Sequence, residues 1–160
     1  MPAEPVRILF VCLGNICRSP LAEIVVRAAA QQRSPGRYYF ASAGTGNWHV
    51  GGPADPRSAA TALEHSLDLS SHRAQQITPA NVDGWDWFIA MDCENRRDLL
   101  SMGVSADHLL LMRQFEDDRL ELDVPDPYYG GPDGFEYAYQ MLAANTERLL
   151  DFLEEKHAPK

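Results

Sequence analysis

Long apolar runs, cysteine and positive charge are all scarce in this chain of 160 residues. The longest strongly apolar stretch, Ile8 to Leu13, falls far short of the ~20 residues that span a bilayer, so no membrane span is expected. The three cysteines, Cys12, Cys17 and Cys93, form an odd and small set, a poor basis for a disulfide scaffold. No CxxC pair or Cys/His cluster at zinc spacing occurs, so no metal is expected. Lys and Arg number 14 against 23 Asp and Glu, a formal net charge of −9. That balance argues against broad nucleic-acid binding, which relies on basic side chains neutralising phosphates. It leaves room for one local basic pocket. No repeat, low-complexity tract or Ser/Gly linker divides the chain. The start, Met1-Pro2-Ala3-Glu4-Pro5, carries an acid and two prolines where a signal peptide carries positive charge. One cytoplasmic domain over 1–160 is expected.

What is present alternates between strand and helix. Val6 to Leu13 is a near-continuous apolar run, the pattern of a strand buried on both faces of a parallel sheet. Pro20 to Gln32 follows with Leu21, Ile24, Val25 and Ala28 at helical spacing, and Ser19-Pro20 reads as its N-cap and first residue. Further strands are expected over Tyr38–Ala43, Trp85–Met91 and His108–Leu111. Helices are expected over Arg57–His65, Glu94–Met102 and Phe135–Glu155. Gly44 to Pro56 and Gln114 to Gly134 read as loops. This order predicts an α/β fold, a three-layer α/β/α arrangement around a parallel sheet of about four strands. Ligands in such folds bind outside the carboxyl ends of the strands. That points to the segment after the first strand.

The segment is Cys12-Leu13-Gly14-Asn15-Ile16-Cys17-Arg18-Ser19-Pro20. A Cys and an Arg six residues apart prove little. Their setting carries more: a buried strand before, a helix start after, and Gly14 and Asn15 between, both tolerant of unusual backbone angles. Such a loop can curl its N–H groups inward, and the helix N-terminus adds positive potential, which suits a tetrahedral dianion. Arg18 can close the ring with a bidentate pair to two oxygens. The same field would lower the pKa of Cys12 into the ~3.5–7.5 range of thiolates at helix N-termini. Such a thiolate is placed for attack on phosphorus.

Val11 to Pro20 resembles the signature loop of the low-molecular-weight protein tyrosine phosphatases. The likeness continues at Ser42-Ala43-Gly44, Asp55-Pro56-Arg57, His72-Arg73-Ala74 and Met91-Asp92, and closes at Asp126-Pro127-Tyr128-Tyr129. The resemblance implies hydrolysis of phosphotyrosine through a phosphocysteine on Cys12, with Arg18 binding phosphate and Asp126 as general acid and then base. Leu13, Gly14, Asn15, Ile16, Cys17 and Ser19 would line the phosphate ring, with Ser19 donating to Cys12. Ser42 and His72 would hold Asn15. Trp48, Tyr128 and Tyr129 would wall the aryl ring, and Cys17 would form a reversible disulfide with Cys12. A phosphotyrosine-bearing protein is the implied partner, a tyrosine kinase among the candidates, and a monomer is expected, with weak self-association left open. No cofactor is implied. Cys93 receives no role. His49, His65, His108 and His157 read as scattered and solvated, and Glu116-Asp117-Asp118 as a solvated acidic face.

Two rivals share the loop. A thiol-dependent arsenate reductase of this fold would relay oxidation through a downstream cysteine pair, but His72 to Asp92 contains no cysteine. A non-catalytic phosphotyrosine-binding module would have lost Cys12 or Asp126, and both are present. A nucleotide P-loop would need Gly-Lys-Ser/Thr at the helix start. A dinucleotide fingerprint from Gly44 lacks its third glycine, since position 49 is His49.

Overall fold

The computed structural model describes residues 4–117, 120, 122–129 and 133–158. Four strands, β1 (Val6–Cys12), β2 (Tyr38–Gly44), β3 (Trp87–Ala90) and β4 (Leu109–Leu111), form one parallel sheet in the order β2-β1-β3-β4. Helices α1 (Arg18–Arg33), α2 (Pro56–Glu64), α3 (Cys93–Ser101) and α4 (Asp133–Lys156) connect and follow them. The side-chain alternation of β1 builds both cores at once. Ile8, Phe10 and Cys12 face the cluster packed by α1, α2 and α4. Leu9 and Val11 face the cluster shared with Leu99 of α3 and with Leu109 and Leu111. The expected three-layer fold with four parallel strands is what forms.

β1 leads through α1 to β2 on one side, and β3 lies on the other. The strand order therefore reverses between β1 and β3, and a crevice opens at their carboxyl ends. Cys12 ends β1, and Asp92 follows β3 by two residues. The topology thus brings together two residues 80 positions apart in sequence.

Several expectations need correction. Helix α1 begins at Arg18 with Cys17 at its cap and no side-chain cap bond. Ser19 lies inside the first turn, its hydroxyl turned toward Cys12 rather than the helix N–H groups. β3 starts at Trp87 rather than Trp85, because Trp85 leaves the ladder to stack on Tyr39 with the Arg7 guanidinium over both rings. Of the histidines expected to be solvated, His108 is exposed, but His65 and His157 are half-buried and partnered. His65 pairs with Glu136 at 2.8 Å and stacks on Tyr139, joining α2 to α4. His157 accepts the indole N–H of Trp87 at 2.8 Å, and His108 tilts against the same ring. Glu116 is exposed, as a solvated face requires, but it binds Arg113 and Asn145; Asp118 lies outside the described residues. Arg33 fastens α1 to α4 through Glu147, Asp151 and Glu154.

Gly44 sits beside Cys12 in the β1–β2 register. A Cβ there would stand 2.7 Å from the Leu13 carbonyl and 3.1 Å from the Asn15 nitrogen, both backbone atoms that cannot swing away. Gly44→Ala is therefore expected to destabilise the fold by about 1–3 kcal/mol, the range for overpacking, read as a lowered denaturation midpoint.

Candidate active site

The loop from Leu13 to Cys17 turns on one residue. Asn15 has φ 58° and is fully buried, a left-handed conformation that an L-residue adopts only when its surroundings impose it. Its side-chain amide donates to Ser19 Oγ and to Ser42 Oγ, each at 2.9 Å. Its Oδ1 accepts the Gln75 N–H at 2.9 Å, and its backbone carbonyl meets His72 Nε2 at 2.8 Å. Ser42 in turn donates to Glu23 at 2.7 Å, so a chain of polar groups runs from Asn15 to a carboxylate on α1.

Held this way, the loop turns the Asn15 N–H onto Cys12 Sγ at 3.3 Å, and Ser19 Oγ stands 2.9 Å from the same sulfur. The N–H groups of Gly14, Ile16 and Cys17 donate to no acceptor among the described residues. Donors left open at a helix start favour an anion. The Thr45 and Gly46 N–H groups tie the loop's entry to the Cys12 and Leu13 carbonyls. The Asp55 N–H and the Ser58 hydroxyl tie its exit to the Ile16 and Cys17 carbonyls.

Arg18 is almost completely buried, and three acceptors fix it. Nη1 binds Asp92 at 2.6 Å and the Val124 carbonyl at 3.0 Å, while Nη2 lies 3.5 Å from Asp126. Burial works against its charge, yet Cys12, Asp92 and Asp126 together outweigh that cost and hold its pKa above the ordinary value. Asp92 also caps α3 through the Asn95 N–H. It is a site residue that no motif on the Cys12 loop reveals; the sequence marked it only within the Met91-Asp92 likeness, without a role. Cys17 differs sharply from Cys12 in setting. Burial first, then Asp55 and Cys12, push its thiol far above the usual range, so it stays protonated. Both cysteines are free thiols.

A cavity of about 480 Å³ opens above Cys12, lined by the loop together with Arg18, Trp48, His49, Asp126 and Tyr128. His49, read as solvated, belongs to its wall: the Gly44–Pro56 segment folds back until the imidazole lies over Gly14, where a Cβ would stand 3.3 Å from His49 Cδ2. His49 also leans on Tyr128. Asp126 accepts the Tyr128 N–H at 3.0 Å, an Asx turn that holds its carboxylate at the mouth. Tyr129 ends the short turn Pro127–Tyr129, and its side chain lies outside what the structure describes. Arg57 spans the two loops. It binds Asp55 through Nε and Nη2, donates to the Tyr128 carbonyl at 3.2 Å, and covers the Phe135 and Tyr128 rings. Cys93 is not part of the cavity wall. Among the described residues no group of three or more His, Cys, Asp or Glu side chains is arranged to hold a metal ion, and no helix is long and apolar enough to cross a membrane.

Residues 7–158 match the family model of the low molecular weight phosphotyrosine protein phosphatases. The chain is 40% identical to a low molecular weight protein-tyrosine-phosphatase of Streptomyces coelicolor, over 94% of each chain. The crystal structure of YfkJ from Bacillus subtilis superposes with a TM-score of 0.88 at 34% identity, covering 98% of this chain and 99% of that one. A structure of the YwlE arginine phosphatase, carrying a phosphorylated active-site serine in place of cysteine, superposes at 0.85 with 25% identity over 95% of this chain and 98% of that one. The strand-end cysteine, the buried arginine beneath the cavity and the agreement over nearly the whole length have one explanation: the chain belongs to the low molecular weight phosphotyrosine protein phosphatase family.

Proposed function

We propose that the protein hydrolyses phosphotyrosine in protein substrates through a covalent phosphocysteine. One observation carries the reading: the Cys12 sulfur, 2.9 Å from the Ser19 hydroxyl, lies at the base of a cavity whose wall also holds Arg18 and Asp126. The phosphate of a tyrosyl monoester fills the ring of loop amides, with Arg18 against its oxygens. Cys12 attacks phosphorus, an S–P bond forms and the P–O bond to the ring breaks. Asp126 delivers its proton to the leaving phenolic oxygen. Water then attacks the phosphocysteine and gives a proton to the Asp126 carboxylate. The S–P bond breaks, Ser19 stabilises the departing sulfur, and inorganic phosphate leaves. Arg18 and the loop N–H groups stabilise the charge on phosphorus in both steps, the part played by metal ions in many phosphoryl transferases.

The walls favour an aryl ester. Trp48, Tyr128 and Ile16 offer apolar surface around a deep nucleophile, and Tyr129 is assigned to the same wall on its adjacency to Asp126. Asn15, Ser42 and His72 keep the ring formed before substrate arrives. We assign Cys17, held as a neutral thiol, the role of disulfide partner protecting Cys12 from irreversible oxidation. The whole chain acts as one phosphatase domain, monomeric, without a cofactor, on phosphotyrosine proteins with tyrosine kinases among them. A free nucleophilic thiol suits the reducing cytoplasm. Phosphoarginine is the second substrate to test, because the fold is shared with an arginine phosphatase.

Turnover of p-nitrophenyl phosphate in EDTA tests the reading: wild type is active, and Cys12→Ser falls to background. Metal-dependent turnover, or arsenate-driven thiol oxidation outrunning ester hydrolysis, would refute it. Phosphotyrosine is expected to exceed phosphoarginine in kcat/KM. Asp126→Ala should lose about 10²–10⁴-fold on phenyl phosphate, the usual contribution of a general acid, and far less on p-nitrophenyl phosphate, whose leaving group needs little protonation. Iodoacetate near neutral pH, followed by peptide mapping, should label Cys12 and leave Cys17 unmodified.

A further inference from the structure

The phosphate cavity has a neighbour. A second cavity of about 430 Å³ lies beside it and shares four of its wall residues, Ile16, Trp48, His49 and Tyr128. Its remaining wall is the turn that carries Val50, Pro53 and Pro56. These shared side chains form a partition between the two. Asp55 on its wall already has both carboxylate oxygens on Arg57, and the lining mixes polar surface with the apolar faces of Trp48, Val50, Pro53 and Pro56.

That surface stands in water. Trp48 is 69% exposed and Val50 58%, and Leu13 and Tyr128 are exposed at the same mouth. Large apolar side chains gathered at one spot mark a place that is covered during function. The turn is built in advance rather than left loose. Gly51, at φ 84°, donates to the Ala74 carbonyl, Ala74 donates back to Gly52, and Gly52 closes on His49. Trp48 lies flat against Gly46, where any Cβ would collide with the indole.

We infer that this second cavity is a subsite for the substrate chain, taking the apolar side chain of a residue one or two positions from the phosphotyrosine. The inference rests on the phosphatase reading and deepens it. The occupant follows from continuity: with the phosphotyrosine ring between Trp48 and Tyr128, the substrate backbone must pass over the shared partition. An extended chain advances ~3.3 Å per residue, so a side chain two positions along reaches the neighbouring cavity. An apolar side chain fits walls of Val, Pro and Trp, whereas a charged one would lose water there without gaining a partner. Small aryl phosphates do not reach the subsite, so their turnover is independent of it.

The test is a set of phosphotyrosine peptides in which each position from −2 to +2 is in turn Leu, Gly, Asp or Lys. Wild type should prefer Leu at one flanking position by about 5- to 10-fold in kcat/KM, the return for partly burying one such side chain. Val50→Asp should abolish that preference while hydrolysing p-nitrophenyl phosphate at the wild-type rate, which also shows that it folds. Titrating the same peptides into Cys12→Ser reads the preference as affinity, so a failure of turnover and a failure of the subsite are told apart. Equal kcat/KM for all flanks, a preference for a charged flank, or an apolar preference that survives Val50→Asp would overturn the proposal.

Discussion

Asn15 is held in a left-handed conformation by four groups from three segments: Ser19 on α1, Ser42 on β2, and Gln75 and His72 on the chain that follows α2. No single one of these bonds is strong, since a neutral hydrogen bond contributes about 1 kcal/mol net. Together they leave the backbone no alternative. The consequence is electrostatic as well as steric. With Asn15 inverted, its own N–H turns onto the Cys12 sulfur, and the open amides of the loop face one point. An anion cradle built in this way needs no rearrangement when the charge arrives, which is where preorganised sites gain over water.

Arg18 depends on that geometry and completes it. A buried guanidinium is costly unless it is paired, and here Asp92 and Val124 fix one nitrogen while Asp126 faces the other. The two carboxylates come from opposite sides of the crevice, one after β3 and one from the loop preceding α4. Arg57 repeats the arrangement farther out, joining the start of α2 to the Tyr128 carbonyl. Phosphate loop, acid loop and helix start are therefore coupled through two arginines, and displacement of either loop is felt by the other.

The parts of this arrangement that repeat locally were readable beforehand. The apolar run of β1, the Gly-Asn turn after it and the helical spacing from Leu21 onward are each set by neighbours in sequence, and they predicted the strand, the loop and the layer order. Residues placed by the return of distant segments were not readable in that way. Glu23 looks like an ordinary acid on a helix and His49 like a loop residue in water until the fold brings them to the Cys12 loop, and Asp92 carried a likeness but no role. Ser19 was read two ways, as a cap and, from the resemblance, as a partner of Cys12, and only the cap reading failed. A serine before a proline at a helix start has the composition of a cap, whereas its hydroxyl lies 2.9 Å from the Cys12 sulfur. Trp85 was assigned to a strand because aromatic residues favour strands, whereas Arg7 and Tyr39 draw it off the sheet.

Cys12 ends a strand with a hydrogen-bonded neighbour on each side, and β2 and β4 form the sheet's edges. Central strands are the last part of a sheet to exchange their amide hydrogens, because they open only when the whole molecule does. The rim of aromatic residues sits instead on connecting segments outside the sheet. The aim of the Cys12 sulfur therefore stays fixed until global unfolding, whatever the rim beside it does.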